Sequence, residues 1–349
     1  MLLGGLLVAL AFVAVMELRL AARGIRPTTP DTIATWMRQR ERAASLGKNA
    51  LILVGDSRMH TNVDLDTLRT LTGLEPVQLA MDGSSFVPVL AGLARDPKVT
   101  GTVVVSFLPY VVAEWDKDNI AKDYEAHYEH ESARWHVNAV ASEEVLAGWM
   151  GSHLRSYADG AAPLNSLLRR VLAAHPTPQY VVTQHDRSKL ADFSLATMPE
   201  LYFERVAREM RVDINEAHTT SPAGIEQFLA AKVAELQPVD AEPFKRHLGE
   251  IEAMVAAIEQ RGGKVYFVEL PTGGLVRTIG ERTYPRAAFW DPFAGSTTAH
   301  AVTFRDVSAL QAFALPDGSH LDYRVRPQFT AALVQALGLD AQPKSIARD

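Results

Sequence analysis

Short apolar runs rich in β-branched residues recur along this chain with helix-patterned stretches between them, and that alternation leaves few folds open. Residues 50–54, 102–108 and 264–270 are dense in Val, Ile, Leu and Phe, and residues 77–80 form a weaker run of the same kind. Runs of this length without polar alternation read as strands buried on both faces. Between them, residues 64–71 begin at Asp64, a residue type that caps helix starts, residues 86–94 form a second helical stretch, and residues 243–260 stop at Gly262-Gly263. Strand, helix, strand in sequence implies right-handed crossovers and a parallel, doubly wound α/β sheet. With 349 residues, 47% of them apolar, the chain can build one large core and still carry a sizeable insertion.

The rhythm breaks over residues 113–238, which are rich in charge, histidine and tryptophan. Helical patterns fall at 142–153, 163–174 and 222–235, with one strand at 179–183, so a mostly helical insertion after the third strand is expected. Such an insertion lies beside the carboxyl ends of the strands, where open α/β sheets bind ligands. Residues 342–349 are polar and are expected to form a flexible tail.

From Met1 to Met16 there is no charged or strongly polar side chain, and Glu17, Arg19 and Arg23 follow. The run falls short of the about 20 residues a membrane-spanning helix needs, but Leu18, Leu20, Ala21 and Ala22 extend it if the arginines reach back to the interface. A cleaved secretory signal and a buried helix are the alternatives. The basic start and small-residue cleavage site of a signal are both missing, which favours an uncleaved membrane anchor over residues 1–23 and a soluble domain over 24–341. Arg19, Arg23 and Arg26 on the C-terminal flank are a weak signal for a cytoplasmic domain.

The formal charge of −6, with both signs interspersed, provides no basic stripe and argues against a nucleic-acid partner. The absence of cysteine removes disulfides, thiolate nucleophiles and sulfur-ligated metal sites together.

Two short motifs carry the chemistry. Gly55-Asp56-Ser57-Arg58 follows the first apolar run and places Ser57 on a strand-to-helix turn, lifted above the sheet. The Gly-x-Ser-x-Gly elbow of the α/β-hydrolases is not matched, because Met59 stands at the second glycine, and helix capping by Asp56 or Ser57 is the competing role. Pro316-Asp317-Gly318-Ser319-His320 reads as a loop, followed by Val325, Phe329, Leu333 and Leu337 as one face of a closing helix. The spacing lets the Asp317 carboxylate orient the His320 ring while its other nitrogen faces a serine. Acyl transfer needs this set: a hydroxyl nucleophile, an imidazole to take its proton and a carboxylate to hold the imidazole.

Gly55-Asp56-Ser57, Gly83 in the second strand-to-helix loop, and Asp317-x-x-His320 resemble blocks I, II and V of the SGNH (GDSL) hydrolase family, over most of residues 50–337 outside the insertion. The resemblance implies a three-layer α/β/α sandwich of flavodoxin-like form. It also implies Ser57 as nucleophile, His320 as general base, Asp317 as its orienter, and the amides of Ser57 and Gly83 as oxyanion donors. One departure stands out. Where the family carries a Gly-x-Asn-Asp turn after the third strand, this chain reads Val105-Ser106-Phe107-Leu108-Pro109-Tyr110, so the third oxyanion donor is missing. That departure and the N-terminal segment resemble the branch of SGNH-like proteins that move or remove acyl groups on cell-surface polysaccharides, including auxiliary proteins of alginate acetylation. The branch implies an extracytoplasmic domain, against the weak charge signal, and a membrane-bound O-acyltransferase as partner.

Arg58 and Arg286 are the cations expected to approach a carboxylate or uronate on a sugar. Glu125, His127, His130 and His136 cluster with spacings a metal accepts, but no three share a helical face, so a solvated segment is expected, with no metal and no cofactor. Two functions follow: an anchored serine esterase or O-acyltransferase acting on an acylated glycan or small ester, or a non-catalytic member of the same fold that binds polysaccharide or scaffolds an acylation complex.

Overall fold

A computed structural model describes residues 2–131, 139–157 and 179–340. The expected helix at 163–174, the tail at 342–349 and His136 lie outside the described residues.

The chain is an α/β protein with a five-stranded parallel sheet in the order β2-β1-β3-β6-β7. Its strands are β1 (Ala50–Val54), β2 (Glu75–Gln78), β3 (Thr102–Ser106), β6 (Lys264–Glu269) and β7 (His300–Thr303). A two-stranded antiparallel hairpin, β4 (Val181–Thr183) with β5 (Lys189–Ala191), belongs to the insertion. Alternate strand residues feed two apolar cores, as period-two side-chain geometry requires. Ile52, Val103, Val105 and Phe267 join Trp36, Leu90, Leu93, Ile251 and Val255, from the helices Ile33–Ser45, Val87–Arg95 and Leu248–Glu259. Leu51, Leu53, Val104 and Val268 join Leu68, Phe329, Leu333 and Leu337, from the helices Leu65–Thr72 and Arg326–Leu337. Burial on both faces explains why these strands read as continuous apolar runs.

β1 pairs with β2 on one side and β3 on the other, so the direction of winding reverses at β1. A crevice opens at such a switch, outside the carboxyl ends of the strands. Ser57 opens the helix immediately after β1 and therefore stands at that crevice.

Several expected boundaries move. β2 lies at Glu75–Gln78 rather than 77–80, although Leu79 and Met81 continue the ladder by donating to the carbonyls of Leu53 and Gly55. The single helix expected over 243–260 is two, Glu242–Arg246 and Leu248–Glu259. Between them His247 stacks on Trp115, 4.4 Å between ring centroids, and accepts the first turn of the second helix. The Glu125 cluster is not a solvated segment throughout. Glu125 is buried against Arg40, Nε to Oε1 3.3 Å, whereas His127 and His130 are exposed. Burial pushes the Glu125 carboxyl up to about 7 despite the Arg40 charge.

The N-terminal helix spans Leu2–Ala22 and is long and apolar enough to cross a membrane. Leu3, Val8, Phe12 and Leu18 point outward, Leu3 with 73% of its surface exposed. Its C-terminal end is fastened to the domain, because Leu20 is buried and the Glu17 carboxylate accepts the backbone N–H groups of Arg155 and Ser156, both at 2.8 Å.

Candidate active site

The serine turn is built by close approach. Gly55 has φ +148°, and a Cβ there would lie 2.5 Å from the Ser106 Cβ, so only glycine lets β1 end this close to β3. Asp56 then caps the helix Ser57–Asn62, accepting from Arg58 N at 3.2 Å and from the Ser106 hydroxyl at 3.3 Å, while its other oxygen takes Arg58 Nε at 3.0 Å. The capping role anticipated for this turn thus falls on Asp56 and leaves the Ser57 side chain at the cleft.

On the far side, Gly318 has φ +80° and packs so tightly that a Cβ would meet Val276 at 2.7 Å. The turn lets Asp317 Oδ1 accept the backbone N–H groups of Ser319 (3.0 Å) and His320 (2.7 Å). Asp317 Oδ2 lies 2.8 Å from His320 Nδ1, and His320 Nε2 lies 2.9 Å from Ser57 Oγ. The serine, the ring and the carboxylate, predicted from two distant motifs, are therefore in one hydrogen-bonded line. Burial pushes the Asp317 carboxyl up, but the hydrogen bond and charge of His320 and the Arg205 guanidinium outweigh it and hold the group well below the usual carboxylate range.

No family model matches the chain, and comparison with curated proteins and with solved structures likewise finds no match. The site must therefore be read from its own geometry.

The line opens onto a cleft of about 1080 Å³ whose walls include Ser57, Arg58, Gly83, Tyr110, Arg205 and His320. Gly83 lines the same cleft as the serine. Arg58 is present too, with its guanidinium turned to Asp56. Arg286 is not brought to the cleft; it is spent on Asp291 at 2.8 Å and Asp306 at 2.5 Å at the surface. Where the resemblance to the SGNH family leads one to expect an asparagine, the Ser106 hydroxyl is committed to Asp56 and the Phe107 ring stacks on Phe293 at 3.9 Å in the core. Tyr110 is the next residue with a side-chain donor in that stretch, and burial together with Asp56 pushes its phenol up, so it stays protonated.

Three residues that sequence reasoning missed hold the site. Asn62, buried on the serine helix, donates to Ser319 O at 3.1 Å and accepts from Leu321 N at 2.9 Å, tying the Ser57 and His320 segments together. Arg205, on the insertion helix Glu200–Met210, places Nε 3.1 Å from Asp317 Oδ2 and Nη2 3.0 Å from His320 Nδ1. Arg187 rivets the hairpin to the end of β2 by donating to Gln78 O, Ala80 O and Asp31, at 2.7, 3.2 and 2.7 Å. An asparagine five residues past a serine and an arginine in a charged helix carry no local signal. Among the described residues no group of histidines and carboxylates is placed to hold a metal ion.

Proposed function

We propose that this chain is a membrane-anchored serine esterase or O-acyltransferase with the three-layer α/β/α sandwich of the SGNH hydrolases, acting on acyl esters of a cell-surface glycan outside the cytoplasm. The observation that carries the reading is the unbroken line from Ser57 Oγ through His320 to Asp317, 2.9 and 2.8 Å, at the mouth of a cleft.

In this reading Ser57 Oγ attacks the ester carbonyl and gives its proton to His320 Nε2. The carbonyl oxygen gains negative charge, which the Ser57 and Gly83 amides stabilise, and donors aimed at such an oxyanion are commonly the largest catalytic term. Collapse expels the alcohol, which takes the proton from His320, and leaves an acyl-enzyme on Ser57. Water or a sugar hydroxyl then gives its proton to His320 and attacks the acyl carbon, and His320 returns that proton to Ser57 Oγ as the acyl–oxygen bond breaks. Asp317, ionised throughout, holds the ring and balances the imidazolium. Tyr110 supplies a protonated hydroxyl on the cleft wall beside the lost asparagine. The cleft volume suits a substrate of a few sugar units, and a membrane-bound O-acyltransferase is the partner that would hand over the acyl group.

A fluorophosphonate probe tests the reading: wild type is labelled at Ser57 and hydrolyses a nitrophenyl acetate, and Ser57→Ala does neither. A second reading, a scaffold that binds polysaccharide without turning it over, draws support from the aromatic packing that fills the asparagine's place. An unlabelled Ser57 together with wild-type turnover equal to that of Ser57→Ala would leave that reading standing.

A further inference from the structure

His320 Nδ1 has one position in the ring plane for a proton or a lone pair, yet two groups lie within hydrogen-bond distance of it. Asp317 Oδ2, at 2.8 Å, asks it to donate, and Arg205 Nη2, at 3.0 Å, asks it to accept. The carboxylate is anionic and closer, and it also takes Arg205 Nε at 3.1 Å, so the proton stays on Nδ1 and points at Asp317. The guanidinium is then a fixed positive charge against the edge of the base. It cancels part of the attraction that Asp317 exerts on an imidazolium.

The placement of Arg205 is built rather than incidental. Its helix is fastened to the main body by Tyr202, whose hydroxyl accepts from Leu275 N at 2.7 Å, and by an apolar cluster in which Phe203 and Val206 join Val276 of the main body and Leu229 and Val233 of the neighbouring insertion helix Pro222–Ala234. Its side chain is 18% exposed, and Glu209 on the same helix lies 3.7 Å from Nη1.

We propose that Arg205, supplied by the insertion, is a positioning residue for the base: it clamps Asp317 and resists a second proton on His320, which extends to lower pH the range in which the ring is free to accept the serine proton. The proposal rests on reading His320 as the base. The other charged and titratable groups around the pair are Glu204, Arg208 and Glu209 on the arginine's own helix, Tyr180 before the hairpin, and Arg58 with Asp56 at the serine turn. Glu269 with Arg305 and Asp82 with Lys189 line the same cleft as closed ion pairs. Of these cations, Arg205 is the one in contact with both the ring and its carboxylate.

The test uses the full chain in detergent micelles with ring-15N-labelled histidine, the His320 signal being identified by its loss in His320→Gln. Arg205→Gln is expected to move the ring titration to higher pH by at least about one unit, the scale on which a charge within a few ångströms acts. Arg205→Lys, which keeps the charge, is expected to titrate near wild type, and the acid limb of kcat/KM for a nitrophenyl ester is expected to move with the ring in each variant. Equal titration in wild type and Arg205→Gln overturns the proposal. If Arg205→Gln does not fold, Arg205→Met, which keeps the apolar stem, takes its place under the same criterion. Because the 15N titration needs no turnover, a shifted ring in a chain that hydrolyses no ester upholds the coupling and defeats the esterase reading. An unshifted ring in an active enzyme does the reverse.

Discussion

Among the described residues two histidine–aspartate pairs lie beside one cleft, and they differ in where the second ring nitrogen goes. His320 hands Nδ1 to Asp317 and leaves Nε2 facing the Ser57 hydroxyl, which itself lines the cleft. His60, on the same helix as Ser57, has Nδ1 3.0 Å from Asp82, but its Nε2 is closed off by the Arg187 carbonyl and the residue is 0% exposed. Around it buried Arg187 and the more exposed Asp31 and Lys189 complete a polar network that ties the insertion hairpin to the loop carrying Gly83. A carboxylate-oriented imidazole is thus not a catalytic signature by itself. What separates the pairs is the destination of the second nitrogen, a hydroxyl at a cleft in one case and a backbone oxygen in the other.

The sharpest way to break the comparison is a mutant cycle at the first pair. Ser57→Ala and His320→Ala are each expected to lower ester turnover by about ten-thousandfold or more, and the double mutant to be hardly worse than either, because a base without its nucleophile has nothing to activate. Kinetics on a nitrophenyl acetate read this, and losses that multiply would mean the two residues do not act as a unit.

At the second pair the effect should move from rate to stability. His60→Ala strips Asp82 and the Arg187 carbonyl of a buried partner and opens a cavity, which is expected to cost about 3 kcal/mol in denaturant unfolding. The turnover of the molecules that remain folded should fall far less than in His320→Ala. A rate loss as large as that of His320→Ala, with unchanged stability, would erase the distinction between the pairs.

Tyr110→Phe sharpens the account of the cleft. If the phenol stands in for the missing amide, turnover falls about tenfold to a hundredfold with little change in KM, since an oxyanion donor acts in the transition state. An unchanged kcat removes Tyr110 from the reaction.

The smallest effect concerns Glu125, a carboxylate that belongs to neither pair. Its native pKa is raised to about 7 by burial, so the folded state holds a proton that the unfolded chain releases near the ordinary carboxylate range of about 4.3. Its contribution to stability is therefore full below that range and is lost as pH rises through about 7. Melting curves across this window are expected to show a decline in wild type that is flattened in Glu125→Gln, and parallel curves would refute the assignment.

Legibility followed the range of the interactions involved. β1 and the Asp64 cap of the helix Leu65–Thr72 were readable because an apolar run and a capping carboxylate act within a few residues. β7 was not, since His300-Ala301-Val302-Thr303 is short and half polar and becomes a strand only by pairing with β6. The hairpin strand β4 was visible but its partner Lys189–Ala191 was not, because that pairing turns on an antiparallel register and on Arg187 reaching back to β2. Arg286 had the right chemistry for a substrate contact, and nothing local in its sequence disclosed the Asp306 that occupies it.

By itself the sequence determined the parallel α/β sheet, the apolar N-terminal helix and the two motifs that hold a serine, a carboxylate and an imidazole, because each of these is encoded by neighbours along the chain. Tertiary structure alone decided that Ser57 and His320, 263 residues apart, would meet at 2.9 Å, that Asn62 would lock their segments together, and that Arg205 would arrive from the insertion to lie against the His320 ring. Those outcomes depend on how separate elements dock, and hydrogen bonds and charges act at distances of a few ångströms in space, whatever the separation in sequence.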